Sequence, residues 1–277
     1  LNDYYLEVGT SDYKEELSQA VYDLYHKDGL PIEISEFCRE ANYLVSFTYA
    51  NLKGKNVQNE LTVKIVQYYI AHALGSVVLQ GWEERYIRKK LKNDYNMFGS
   101  EIDEAYPKVA RYLNDQAETG SLRLRNRILV KSILEFLNDH QRIDLEGFMN
   151  FRSGQYKREL KKQIERAVNA YALQREHESF VRLLKRFFES QRENKNTMHM
   201  VINHKDEVAF YDDKHSVLIN YGAESEDHPI GVLLKRSPNR LIVHVAAEKQ
   251  SGIARIVQEV FGDKMTYCRG CSLCKEN

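Results

Sequence analysis

Cysteine is scarce in this chain. There are four in 277 residues: Cys38 alone, and Cys268, Cys271 and Cys274 together near the end. Four is too few for a disulfide framework in a chain of this length, so a reducing cytoplasm is the simplest location. Net charge is missing too, with 40 basic and 40 acidic side chains. No global basic excess therefore argues for nucleic acid. Glycine-bearing catalytic motifs are absent: no GxxxxGK[ST], GxGxxG or GxSxG, and no HExxH either. Gly54-Lys55 lacks the earlier glycine of a phosphate loop, and nothing nominates a nucleophile with its base. The sequence leaves catalysis undecided.

The N-terminus has no basic segment followed by an apolar one, so no signal peptide is visible. Leu1 is not a start methionine, and a few residues are expected to be missing. Long uncharged runs are confined to Ile65–Trp82, which approaches membrane-spanning length. It holds Gln67, His72, Gly75, Ser76, Gln80 and Gly81, each unhelpful in lipid, and reads as a buried core helix rather than a span. Apolar residues at 43% and charged residues at 29% exclude collagen-like, low-complexity and wholly disordered chains. The length suits one large domain or two modest ones.

Periodicity predicts an α+β protein, with a mostly helical middle between a small N-terminal α/β part and a C-terminal α/β part. Tyr4–Val8 reads as a strand. Ser11 or Asp12 caps a helix to about His26, with Leu17, Val21, Leu24 and Tyr25 inward. Gly29 and Pro31 break it, and Asn42–Tyr49 reads as a strand. Val57 to Gln80 is a central helix with Val57, Leu61, Ile65, Tyr68, His72 and Leu79 near helical period. Trp82–Tyr95 and Ile102–Leu113 are further helices, Pro107 disturbing the first turn of the latter. Leu122–Leu137 follows, with Ile128, Leu129, Ile133, Leu134 and Leu137 inward. Asp144 caps a helix stapled by Ile143 and Phe148, with Phe151, Leu160, Ile164, Val168 and Tyr171 on one side and a kink at Ser153-Gly154. His177, Phe180, Val181, Leu184, Phe187 and Phe188 define another helix.

Met198–Asn203, Val208–Tyr211 and Val217–Asn220 form a short antiparallel meander. A short helix from Pro229 precedes the apolar strand Leu241–Val245. A helix through Ile253–Phe261 then leads to Met265–Tyr267, a β-α-β unit with parallel strands. Three parts follow from these shifts: residues 1–118, 119–195 and 196–277, with net charges of −6, +7 and −1.

The strongest chemical signal is Cys268-Arg269-Gly270-Cys271-Ser272-Leu273-Cys274. Two successive Cys-x-x-Cys steps put three thiols on one turn, and Gly270 lets the backbone curl. Thiolates so crowded either share a cation or raise one another's pKa. Zinc wants four ligands, and an iron–sulfur cluster usually does too. His244, near the C-terminal end of the strand expected beside Met265–Tyr267, is the best fourth ligand; Cys38 and His228 are weaker. The bland alternatives are a reversible disulfide or a reduced thiol tail.

Arg123, Arg125 and Arg127, and the ridge Arg158, Lys162 and Arg166 with Lys157 and Lys161 beside it, make a basic middle that reads as a solvated helix face. Glu224, Glu226 and Asp227 before His228 read as acids at a helix N-terminus. His72 and His177 read as satisfied core histidines.

Four segments together resemble the YtxC family of sporulation-linked proteins: Ile143–Arg152 with its Glu146-Gly147-Phe148 and Phe151-Arg152 and the following Tyr156; Glu178–Gln191; Pro238–His244; and the cysteine tail. Ser153-Gly154 departs from the pattern. The resemblance implies a link to endospore formation and carries over no catalytic residue. In the central block, Phe151 is expected to pack and Arg152 to pair with Glu146 or a partner.

The combined expectation is a non-enzymatic sporulation protein acting through contact with a protein partner, with a structural metal, zinc or iron–sulfur, on Cys268, Cys271, Cys274 and His244. The alternatives are a metal- or thiol-dependent enzyme at the same cysteines, and a nucleic-acid binder using the basic middle.

Overall fold

In the computed structural model, residues 4–28, 33–39, 42–49, 56–115, 121–190, 194–203, 205, 207–221, 229–245 and 252–275 are described. The chain forms an α+β protein of two compact units, Leu1–Ala172 and Leu173–Asn277.

The first unit has a four-stranded sheet in the order β2-β3-β1-β4. Its strands are β1 (Tyr4–Thr10), β2 (Glu33–Arg39), β3 (Asn42–Tyr49) and β4 (Arg142–Asp144). β3 runs antiparallel to β1 and β2, and β4 runs parallel to β1. Strand β2 has no counterpart among the expected elements. Glu33, Ser35, Glu36, Cys38 and Arg39 give it little of the β-branched character that marks a strand, and its Phe37 and Cys38 are exposed.

Helices α1 (Lys14–Asp28), α2 (Asn56–Val77), α3 (Glu83–Tyr95), α4 (Ser100–Asn114) and α5 (Ser121–Asp139) follow around this sheet in sequence. Leu17, Val21 and Leu24 of α1 are buried. The turn entering α1 is held by Thr10 rather than Ser11 or Asp12: its Oγ1 accepts the Tyr13 N–H at 3.1 Å. Pro107 lies in the interior of α4, not its first turn. Ala105, Val109 and Leu113 are buried on that helix, and this packing offsets the roughly 3 kcal/mol that an interior proline costs.

Helix α2 buries a different face from the expected one. Val66, Ile70, Ala71, Leu74 and Val77 enter the core, while Leu61, Ile65 and Tyr68 are 60%, 41% and 50% exposed. The helix is apolar on several faces, so period alone does not select the inner one. Among the described residues one helical run, Glu60–Tyr95, is long and apolar enough by composition to cross a membrane; its buried face is the core face just named.

A π-helical turn, Val78–Trp82, joins α2 to α3. Gly81 sits where a Cβ would come within 2.7 Å of the Tyr13 ring and 2.9 Å of Glu16 Oε1. Only glycine allows that approach to α1. The wider turn shifts helical phase, leaving Glu83 buried while Trp82 is half-buried against the core and stacks on Tyr86 with ring centroids 4.7 Å apart.

The block from Ile143 to Tyr156 forms β4, the short helix α6 (Leu145–Phe151) and the start of α7 (Gly154–Ser190). Asp144 caps α6 by accepting the Gly147 N–H at 2.7 Å, and Ile143 and Phe148 are buried. Phe151 does not pack: it is 85% exposed. Glu146 reaches the end of β1 and the turn before α1 instead of Arg152, accepting the Thr10 hydroxyl at 2.5 Å and the Ser11 and Asp12 N–H groups at 3.1 Å. Helix α7 is continuous where two helices were expected. The polar run Gln174–Glu178, where the second helix was expected to begin, consists largely of good helix formers.

Beneath α3 lies a buried ionic network. Fully buried Arg125 holds Glu83 through Nε to Oε1 at 2.8 Å and Nη2 to Oε2 at 3.3 Å. Its Nη1 donates to Leu113 O and Gln163 Oε1, and its Nη2 to Asn114 Oδ1. Tyr156 donates its hydroxyl to Glu83 Oε1. Burial, with Glu83 beside it, holds the Tyr156 phenol well above its ordinary pKa. Arg125 thus belongs to the core and not to a basic surface.

The second unit is a five-stranded sheet in the order β7-β6-β5-β8-β9. The strands are β5 (Asn194–Ile202), β6 (Val208–Tyr211), β7 (Val217–Tyr221), β8 (Pro238–Val245) and β9 (Met265–Tyr267). β5-β6-β7 is the expected antiparallel meander, and β5, β8 and β9 are parallel. Side-chain alternation puts Met198, Met200, Ile202, Leu241 and Val243 on one face. These join a core with α8 (Pro229–Arg236) and α9 (Gly252–Phe261). His199, Val201 and His244 occupy the opposite face.

Candidate metal centre

His244 is placed by β8, whose neighbours β5 and β9 fix its height in the sheet. Val201 faces it in register on β5, and Val243 pairs with Tyr267 on β9. The ladder continues one step past β9, where the Cys268 N–H donates to Val243 O at 2.9 Å. Cys268 therefore leaves the sheet beside His244, as the parallel β8–β9 pairing demands.

The chain then turns back. Gly270 has φ of +122°, a conformation other residues rarely adopt, and nothing crowds its position. Its N–H donates to Cys268 Sγ at 3.4 Å. The Cys274 N–H donates to Cys271 O at 3.1 Å, opening the one-turn helix α10 (Ser272–Lys275).

These turns bring one ligand atom from each of His244, Cys268, Cys271 and Cys274 within 4.8 Å of one another. His244 Nδ1 lies 3.2 Å from Cys274 Sγ and 3.5 Å from Cys271 Sγ, and the two sulfurs are 3.9 Å apart. A tetrahedral zinc shell, with Zn–S near 2.3 Å and Zn–N near 2.0 Å, implies S···S of about 3.8 Å and S···N of about 3.5 Å. A disulfide would need about 2.05 Å. The spacing is that of donors around one ion. A multi-iron cluster binds its thiolates to separate irons and spreads them further apart.

The electrostatics suit a neutral imidazole beside sulfur. Burial, then the neighbouring His199 and His215, push His244 down to about 4. Burial pushes the Cys271 thiol up, but hydrogen bonds from the Cys274 backbone and the Cys268 thiol outweigh it and leave it below the ordinary value. Burial holds Cys274 above it.

The far nitrogen of His244 is engaged as well: Nε2 lies 2.9 Å from His199 Nδ1. A proton on Nε2, donated to His199, leaves Nδ1 bare toward the sulfurs, the arrangement that fixes a ligand histidine's tautomer. His215, on the β6–β7 turn, packs edge-on to His199 with centroids 4.8 Å apart. Neither His199 nor His215 stood out in the sequence. His199 and His244 are 45 residues apart, and only the β5–β8 pairing makes them neighbours.

The weaker candidates fare differently. Cys38 is exposed on β2 of the first unit and is not one of the clustered donors. His228, with Glu224, Glu226 and Asp227, lies outside the described residues. His72 is half-buried, its ring 4.4 Å from that of Tyr68. His177 is not a core residue: half-exposed, it pairs with Glu259 at 2.7 Å.

A model of the YtxC-like family matches residues 68–266. Neither a curated protein nor a solved structure matches the chain. The matched span includes the Arg125–Glu83–Tyr156 network, the capped α6 block, His199 and His244, and stops just before Cys268.

Proposed function

This chain belongs to the YtxC-like family, and we propose that it is a non-enzymatic protein with a structural zinc centre in its second unit, working through protein contacts. Zinc would be held by the thiolates of Cys268, Cys271 and Cys274 and by His244 Nδ1. The observation that carries this reading is the four donors lying within 4.8 Å of one another. Four protein ligands close a tetrahedron, whereas a catalytic zinc keeps a position for water or substrate. The closed shell favours a structural metal over the metal-dependent enzyme. The exposed apolar residues Leu61, Ile65 and Tyr68 on α2 give the first unit a surface of the kind proteins use to meet one another. The role in endospore formation implied by the family resemblance is part of the proposal.

Elemental analysis tests the metal. The protein purified under reducing, anaerobic conditions is expected to carry about one zinc per chain, and the Cys271→Ser variant close to none. Equal metal in both samples, or none in either, contradicts the reading.

A further inference from the structure

We propose that the cleft between α3 and the start of α7 binds a nucleoside polyphosphate. The cleft has a volume of about 590 Å³, within the range of small-ligand sites. Six cations line it: Arg85, Lys89 and Lys90 from α3, and Lys157, Arg158 and Lys161 from α7. Among the described residues no carboxylate does. Two opposing helix faces, with cations four residues apart at Arg85 and Lys89 on one and at Lys157 and Lys161 on the other, are thus folded into one concave surface. The sequence shows only a ridge on α7; the cations on α3 supply the other wall.

Half of this charge is already engaged by carboxylates outside the cleft. Arg85 pairs with Asp12 at 3.3 Å, Lys90 with Asp94 at 3.0 Å and Lys161 with Glu165 at 4.0 Å. Among the described residues no ion pair holds Lys89, Lys157 or Arg158; Lys157 Nζ donates only to Asn150 O. Three cations therefore remain for an anion, which matches a polyphosphate better than a single carboxylate. Gly154, the first residue of the 37-residue helix α7, also lines the cleft. That helix has no acidic residue in its first turn. Ser153, at its cap position, donates its hydroxyl backwards to Met149 O. The positive end of the helix dipole adds to the cationic field.

The aromatic wall decides the ligand's other half. Trp82 and Tyr86 stack on each other at the cleft, both partly buried against the core of the first unit. Aromatic faces beside lysine and arginine are the chemistry that holds a base next to its phosphates.

Trp82 is the only tryptophan in the chain, so it reports on the cleft directly. The test is calorimetric titration of the full chain with ATP, alongside Trp82 fluorescence, with inorganic triphosphate and a short single-stranded oligonucleotide as comparisons. The expected result is one ATP per chain, quenching of Trp82, and weaker binding of inorganic triphosphate. Lys89→Glu with Arg158→Glu should weaken ATP by at least about tenfold, each lost charge-assisted contact being among the stronger hydrogen bonds. Arg158→Ala should weaken it less, and Lys131→Glu, outside the cleft, should not. All three are surface changes, so unchanged thermal unfolding confirms that they fold. Absence of ATP binding, equal affinity in the double variant, triphosphate binding as tight as ATP, or displacement of ATP by the oligonucleotide at equal phosphate concentration each overturns the proposal.

Discussion

Glu83→Ala is expected to destabilise the first unit by about 3–5 kcal/mol, the usual cost of stranding one member of a buried ion pair. Arg125 is fully buried and Glu83 nearly so, with side-chain exposures of 0% and 6%. Without Glu83, the guanidinium keeps its neutral acceptors Leu113 O, Gln163 and Asn114 but loses the carboxylate that holds it through two nitrogens. Tyr156 loses its acceptor in the same step. A loss of this size corresponds to a fall in thermal midpoint of roughly 6–20 °C for a unit of this length. The double change Glu83→Leu with Arg125→Met removes both charges and should recover most of the loss, because a buried pair is worth little more than an apolar replacement of similar volume. Thermal unfolding of the two variants beside the unmodified protein checks this. A Glu83→Ala midpoint within a degree or two of the unmodified protein would mean that the pair is solvated.

Removing zinc is expected to act on the other unit. A ligand present at 1,000 times its dissociation constant stabilises the folded state by about 4 kcal/mol. For a unit of this size that amounts to a midpoint shift of roughly 15 °C or more. A strong chelator under reducing conditions should lower the transition of the second unit by at least that amount and leave that of the first unchanged. The second unit has its own apolar core, including Met200, Phe210, Leu233, Leu241, Val243 and Val257. A metal held there would therefore add to a folded sheet rather than create it. Amide exchange should rise mainly in Pro238–Val245 and Met265–Lys275 after chelation. Exchange that rises equally throughout the unit, or not at all, contradicts a local structural centre.

The architecture of the second unit was legible because its signals are short-range. Turn residues such as Asp212 separate strands of three to five apolar residues, and an amphipathic helix between Leu241–Val245 and Met265–Tyr267 requires parallel pairing. That pairing places Cys268 beside His244, so most of the candidate site followed from topology. His199 did not follow: it lies in a strand whose register against β8 no local pattern encodes.

Arg125 is a different case, because a signal was present. It stands four, eight and twelve residues before Leu129, Ile133 and Leu137, all buried on α5. An arginine on a core stripe points inward, but grouping it with Arg123 and Arg127 hid that. On α2 apolar residues occupy too many faces for period to choose among them. The cleft between α3 and α7 joins segments some 70 residues apart, and its basic walls look solvated when each helix is read alone.

The central claim is a closed shell of three sulfurs and one nitrogen. X-ray absorption at the zinc edge of the reduced, purified protein tests it most directly. The account predicts three sulfurs at about 2.3 Å and one imidazole nitrogen at about 2.0 Å, with no water in the shell. A bound water, a shell with fewer than three sulfurs, or the absence of bound zinc would contradict it.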